Sequence, residues 1–211
     1  MIPLTDYITA AVVTLLVVVD PPGLGPIFLG LTHGMTRDQR HAVAWRASVI
    51  GAGVLAFFAL AGEPFLRLLG ISTPALRIAG GLLLFAIAFE MVFDRSNTRK
   101  SETAQTAITK DFISNVSAFP LAIPLIAGPG AITATMLLSE QARGRPLAFV
   151  LLFVVIALVM AGCYVAFRLA DIVNKLLGIT GNVVLTRLLG IVLAGLAVQF
   201  ILDGAHAALA G

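Results

Sequence analysis

The chain has 211 residues, of which 59% are hydrophobic and only 12% charged, with a formal net charge of +3. An ordinary soluble domain carries about twice that share of charge, so this composition excludes a water-soluble globule and makes lipid the solvent. The low net charge, with no dense basic tract, gives no reason to expect a nucleic-acid partner.

A span across a bilayer needs roughly 20 apolar residues, and six segments qualify. The first, Tyr7 to Leu31, is unusual: "VVVDPPGLGPIFLG" places an acid, three prolines and three glycines inside apolar sequence. The start, "MIPLTD", has no basic n-region, so this segment reads as a retained span and not a cleaved signal. The second span is Ala42 to Ala61 and the third Thr73 to Phe93. A hydrophilic loop follows over 94–111. The fourth span, Phe112 to Leu138, is again interrupted by proline and glycine, and Leu147 to Leu169 and Leu185 to Leu202 complete the set. The class is therefore an all-α polytopic membrane protein, one transmembrane domain over 1–211 with six transmembrane helices.

Basic residues set the orientation. Arg37, Arg40, Arg95, Arg99, Lys100, Lys110 and Lys175 fall on one side, and Arg67, Arg143 and Arg145 on the other. The richer side is predicted to be cytoplasmic, which puts both termini in the periplasm of a bacterial inner membrane.

The two halves echo each other. Pro21, Gly25 and Pro26 repeat as Pro124, Gly128 and Pro129, each set inside the first span of a three-span half. "ALRIAGGLLLFAIAFE" from Ala75 and "LTRLLGIVLAGLAVQF" from Leu185 match at the third spans, each with an arginine three residues before a glycine. With three spans per half, repeat one (about 1–93) and repeat two (about 112–211) must enter the membrane with opposite polarity. This is the inverted-repeat plan of many secondary transporters, whose site lies between the repeats near the midplane.

Proline lacks an N–H and clashes with the preceding turn, so spans 1 and 4 are predicted to break, with new half-helices starting at Pro26 and Pro129. Two helix starts that converge offer free N–H groups and partial positive charge to a small anionic group, such as an amino-acid carboxylate. The predicted substrate-binding set is Gly25, Pro26, Gly128, Pro129 and Gly130 for backbone contacts, with Asn115 and the Thr133 hydroxyl beside them. Asp20 would answer a substrate ammonium or a coupling ion, because a mid-depth carboxylate is expensive and normally marks a path. The plainer reading of Asp20 is a helix cap, and of the Pro-Gly clusters a pair of structural kinks. Arg77 and Arg187 read as snorkelling or paired side chains, Gln199 as a helix–helix hydrogen bond, and Cys163 as packing. No catalytic or metal-binding pattern appears: there is no His-Glu-x-x-His and no Gly-x-Ser-x-Gly, so an enzyme is not expected. With no P-loop present, active transport would need an ion gradient, H⁺ or Na⁺, or a separate ATPase, and no other cofactor is expected.

"DPPGLGPIFLGLT", "RIAGGLLLFAIAFEMVF", "FPLAIPLIAGPGAIT" and "LAVQFILDG" resemble, in order and over the full length, the MarC family of bacterial inner-membrane proteins, also called the neutral amino acid transporter family. The resemblance implies a six-span integral membrane protein and, for some members, transport of glycine, alanine and similar amino acids. The family's usual first motif is nearer Asn-Pro-Ile-Gly-Asn-x-Pro. Here Asp20 stands in place of the first Asn, and Leu24-Gly25 falls where the second is common. The other open readings are a channel or exporter for another small solute and a non-transporting membrane partner protein, with a homo-oligomer possible in each case.

Overall fold

The computed structural model describes residues 3–93 and 117–210. Seven helices run through them: α1 (Leu4–Val19), α2 (Pro21–Leu31), α3 (Arg37–Leu68), α4 (Thr73–Val92), α5 (Pro129–Gln141), α6 (Pro146–Arg168) and α7 (Ala170–Ala210). The described residues contain no strand. Five stretches are long and apolar enough to cross a membrane: Leu4–Leu31, Arg37–Gly62, Thr73–Val92, Pro146–Arg168 and Val183–Leu209. The sixth predicted span, Phe112 to Leu138, does not join them. Its first residues and the 94–111 loop lie outside the described residues, and the rest divides into Ser117–Ile126 and the 13-residue α5.

Proline chemistry accounts for that division. A residue before proline is pushed out of the helical region, and Phe119 (φ −136°, ψ 127°) and Ile123 (φ −129°, ψ 122°) each precede one. The chain there closes into a wide turn, with the Ala127 N–H donating to Ala122 O at 2.9 Å. Pro129 then sits at the first position of α5, where its missing N–H has no partner to lose.

The core is built from helix pairs. In α4 and α7 the packing is close and antiparallel: Gly190 lies against Ala88 and Met91, Gly81 against Ala197 and Ile201, and Gly204 against Pro74 and Arg77. Gly81, Leu84, Ala88 and Met91 are the buried row of α4; Gly190, Leu193, Ala197 and Phe200 are buried in α7 with the same three-four-three spacing. Each member of the second row follows its counterpart by 109 positions (190 less 81). The sequence register, which pairs Gly80 with Gly190, is therefore one residue off. The two glycine contacts are reciprocal, since Gly81 meets the Ala197 carbonyl and Gly190 meets the Ala88 carbonyl.

Turns match as well. "LLGIS" (68–72) before α4 is answered by "LLGIT" (176–180) within α7. Gly70 (φ 70°) and Gly178 (φ 59°, ψ −173°) both have a positive φ, which glycine adopts at little cost. Gly178 bends α7 and separates its long apolar part from its first turns. Gly34 and Gly144, in the loops before α3 and α6, have positive φ too.

The remaining pairs close the bundle. α3 and α6 run antiparallel, with Trp45 edge-on to Tyr164 at 5.8 Å. Gly51 of α3 accommodates Ile126, whose Cγ2 would stand 2.8 Å from a Cβ there, so Gly51→Leu should lower the thermal midpoint measured in detergent by several degrees. α1 lies along α5, where the Tyr7 hydroxyl donates to Leu138 O at 3.0 Å.

Candidate functional site: the junction of α1, α2 and α5

The first span breaks at Asp20 and not at Pro26. Asp20 takes the left-handed conformation (φ 53°, ψ 62°), ends α1 and caps α2, its carboxylate accepting from Gly23 N–H at 3.2 Å. Three features coincide there: a residue type that tolerates left-handed φ, a favoured N-cap, and Pro21 at the first helical position. Pro26 lies inside α2 and is exposed, and Gly25 is buried beside Ala170, whose Cβ would be 3.9 Å from a Cβ at Gly25. Neither residue starts a helix, which corrects the predicted half-helix start at Pro26 to Pro21. Asp-Pro is the signal that marks the true helix start; Gly-Pro five residues on is only a tolerated interruption.

Gly128 caps α5 in extended conformation with no side-chain hydrogen bond, and Pro129 and Gly130 follow in its first turn. Gly130 is buried at a crossing of three elements: a Cβ there would stand 3.2 Å from Val18 Cγ1 of α1 and would overlap the Ile87 δ-methyl of α4. Val18 is two residues from Asp20, so the start of α5 and the start of α2 share one level. From that level the helices run apart. The far end of α5 reaches the first turn of α6, where Ser139, Ala142, Pro146 and Phe149 line one cavity. The far end of α2 reaches the last turn of α6, where Phe28 stacks on Phe167 at 4.7 Å. These ends of α6 are about 34 Å apart at 1.5 Å per residue.

The surroundings of Asp20 are dense and mostly apolar, while Gly128 is half-buried and Pro129 exposed. Asp20 is 1% exposed, and Val19, Leu24, Ile126 and Ala127 are equally buried. The first N–H groups of α5 have no intrahelical acceptor by geometry and no side-chain cap. Thr133 is half-buried, its methyl against Gly80 of α4. The Thr135 hydroxyl is spent on Ala131 O at 2.8 Å. Asn115 lies outside the described residues. Gly128, Pro129 and Gly130 thus form the start of α5, with Thr133 one turn further along it, and Gly130 is linked to the Asp20 region through Val18.

Gln199 departs from its sequence reading: it bonds within its own helix, donating to Asp203 at 2.7 Å, and not across helices. Arg77 takes the paired role of its two expected ones, its Nε and Nη2 donating to Glu140 Oε2 at 2.9 and 2.7 Å. Glu140 carries no sequence signal, since the two residues are 63 apart in the chain.

Five helical stretches long and apolar enough to cross a bilayer define a polytopic integral membrane protein. The chain belongs to the MarC family: the model of the MarC family integral membrane protein matches residues 5–209. It is 34% identical to a UPF0056 membrane protein of Archaeoglobus fulgidus over 203 residues, covering 94% of this chain and 92% of that one. It is 33% identical to a UPF0056 membrane protein of Aquifex aeolicus over 199 residues, covering 92% and 90%. The UPF0056 membrane protein YhcE of Escherichia coli is 34% identical over 193 residues, covering 90% and 87%. No solved structure matches the chain.

Proposed function

We propose that the protein is a secondary transporter of small neutral amino acids, of the glycine and alanine type, coupled to H⁺ or Na⁺. In this reading six spans form two inverted three-span halves in a bacterial inner membrane, with both termini periplasmic. The observation that carries it is the approach of the proline-led start of α5 to the end of α1, where Gly130 packs against Val18, two residues before the Asp20–Pro21 start of α2, with α2 and α5 then running to opposite ends of α6. The uncapped N–H groups of the first turn of α5, on Gly130 and Ala131, suit a carboxylate, whereas the α2 start, with Pro21, Pro22 and a Gly23 N–H taken by Asp20, offers none. Asp20 suits an ammonium or the coupling cation.

The matched rows of α4 and α7 support the two-halves plan. Contacts in which residue i meets j while the equivalent of j meets the equivalent of i are the mark of a two-fold relation, and Gly81 and Gly190 behave in that way. The turn pairs Gly70/Gly178 and Gly34/Gly144 and the helix starts Pro21/Pro129 recur in the same chain order.

Uptake of radiolabelled glycine or alanine into proteoliposomes is the test. The expected result is saturable uptake that depends on an imposed H⁺ or Na⁺ gradient. Failure to accumulate any neutral amino acid under any gradient, with correctly folded protein, rejects the assignment.

A further inference from the structure

Three consecutive residues at the end of α5 are each tied to a different helix of the first half. Leu138 O accepts from the Tyr7 hydroxyl of α1 at 3.0 Å. The Ser139 hydroxyl donates to Ala59 O of α3 at 2.6 Å. Glu140 takes both bonds from Arg77 of α4, in a pair whose side chains are only 22% and 12% exposed. Charge-assisted bonds in partly dry surroundings are the strong kind. The far end of the bundle, beyond α2, is joined differently, by the Phe28–Phe167 ring stack and the more exposed Arg40–Asp171 pair at 3.4 Å.

A cavity of about 580 Å³ opens at the α5 end of the bundle. Leu60, Pro64 and Phe149 form apolar walls, Arg143 and Arg145 supply cationic groups, and Ala59 and Ser139 line it as well. The Ser139–Ala59 bond is therefore part of the cavity's boundary. Thr135, one turn deeper on the same face of α5, is fully buried beneath it. Below Thr135 the helix leads to Gly130 and the junction.

We propose that this cavity is an entry vestibule for a small carboxylate-bearing solute, and that the Leu138–Ser139–Glu140 ties are the latch that shuts it off from the junction. The arginines raise the local concentration of anionic groups at the entrance. Release of the ties frees the end of α5 from α1, α3 and α4 together, and the vestibule deepens along the Thr135 face. The proposal rests on the transporter reading for its solute, while its geometry can be tested without transport.

The test uses full-length protein carrying Cys163→Ala, with single cysteines at Leu60→Cys on the vestibule wall and Thr135→Cys beneath the latch. Membrane-impermeant thiol reagents are applied in intact cells and in inside-out vesicles. Leu60→Cys should react from one side only, and Thr135→Cys should be slow in the parent. Adding Glu140→Ala should speed the Thr135→Cys reaction roughly tenfold from the side that reaches Leu60→Cys, as loss of a coupling of ordinary size would. Ser139→Ala should act in the same direction, and the swap Arg77→Glu with Glu140→Arg should restore slow labelling. Arg145→Gln should lower the ratio of anionic to cationic reagent rates at Leu60→Cys by roughly threefold. If Thr135→Cys reacts at the parent rate in both Glu140→Ala and Ser139→Ala, or speeds up only from the opposite side, there is no latch. An unchanged reagent ratio in Arg145→Gln removes the carboxylate assignment. Labelling needs no amino acid, so failed uptake with positive labelling sinks the substrate and leaves the gate standing.

Discussion

Gly81→Ala should lower the apparent thermal midpoint of the detergent-solubilised protein by about 5–10 °C, on the order of 2–3 kcal/mol of overpacking. A Cβ at Gly81 would lie 2.6 Å from Ile201 Cγ1, 2.7 Å from Ala197 O and 3.1 Å from Ile201 N. Two of those three atoms are backbone, so no rotamer change can clear them and the helices must separate. Gly190→Ala meets the equivalent carbonyl, Ala88 O, at 3.1 Å and the Met91 Cβ at 2.9 Å, and should lose stability less steeply. Gly53→Ala and Gly195→Ala face open space and should be neutral or gain up to about 1 kcal/mol from the better helix former. Apolar helices gain nothing from leaving lipid for one another, so close backbone approach through small residues is what holds such pairs. Equal midpoints across all four variants would show that α4 and α7 do not approach each other so closely.

The same contrast explains how much of the fold was legible in the sequence. Spans could be counted because hydrocarbon demands long apolar runs, and Arg37–Gly62, Thr73–Val92 and Pro146–Arg168 fall where composition puts them. Register and break positions depend on contacts and on single peptides, which composition averages away. Gly25-Pro26 and Gly128-Pro129 look alike as strings, yet only the second starts a helix. The difference lies upstream. A helix begins once its cap is set, and Asp20 before Pro21 sets it five residues early, so Pro26 is carried as an interruption on an exposed face. In the second half the extended residues before Pro120 and Pro124 keep the chain out of regular helix until Gly128. The ties from Arg77 to Glu140 and from Tyr7 to Leu138 join residues 63 and 131 apart. Nothing local announces them, because tertiary packing alone decides which end of which helix they meet.

Asp20 is where cap and function can be separated. Asp20→Ala removes a cap that accepts from Gly23 N–H at 3.2 Å and forces alanine into φ 53°. Each loss costs about 1 kcal/mol, so a variant about 2 kcal/mol less stable should result, and lost uptake in it would be ambiguous. Asp20→Gly keeps the backbone angle and, at a cap, should cost only a few tenths of a kcal/mol. Asp20→Asn keeps both the left-handed preference and the cap acceptor, and removes only the charge. It should fold with a thermal midpoint within a few degrees of the parent. If the carboxylate answers a substrate ammonium or the coupling ion, Asp20→Asn should nevertheless lose ion-dependent uptake by tenfold or more, the size expected when a buried charged contact worth about 1.5–3 kcal/mol is deleted. Gly23→Ala provides an independent handle, because a Cβ there overlaps the Asp20 carboxylate and must displace it from the cap while the charge remains. Uptake that survives Asp20→Asn but fails in Gly23→Ala would reduce Asp20 to a structural cap, whereas the reverse pattern makes its charge part of the transport step.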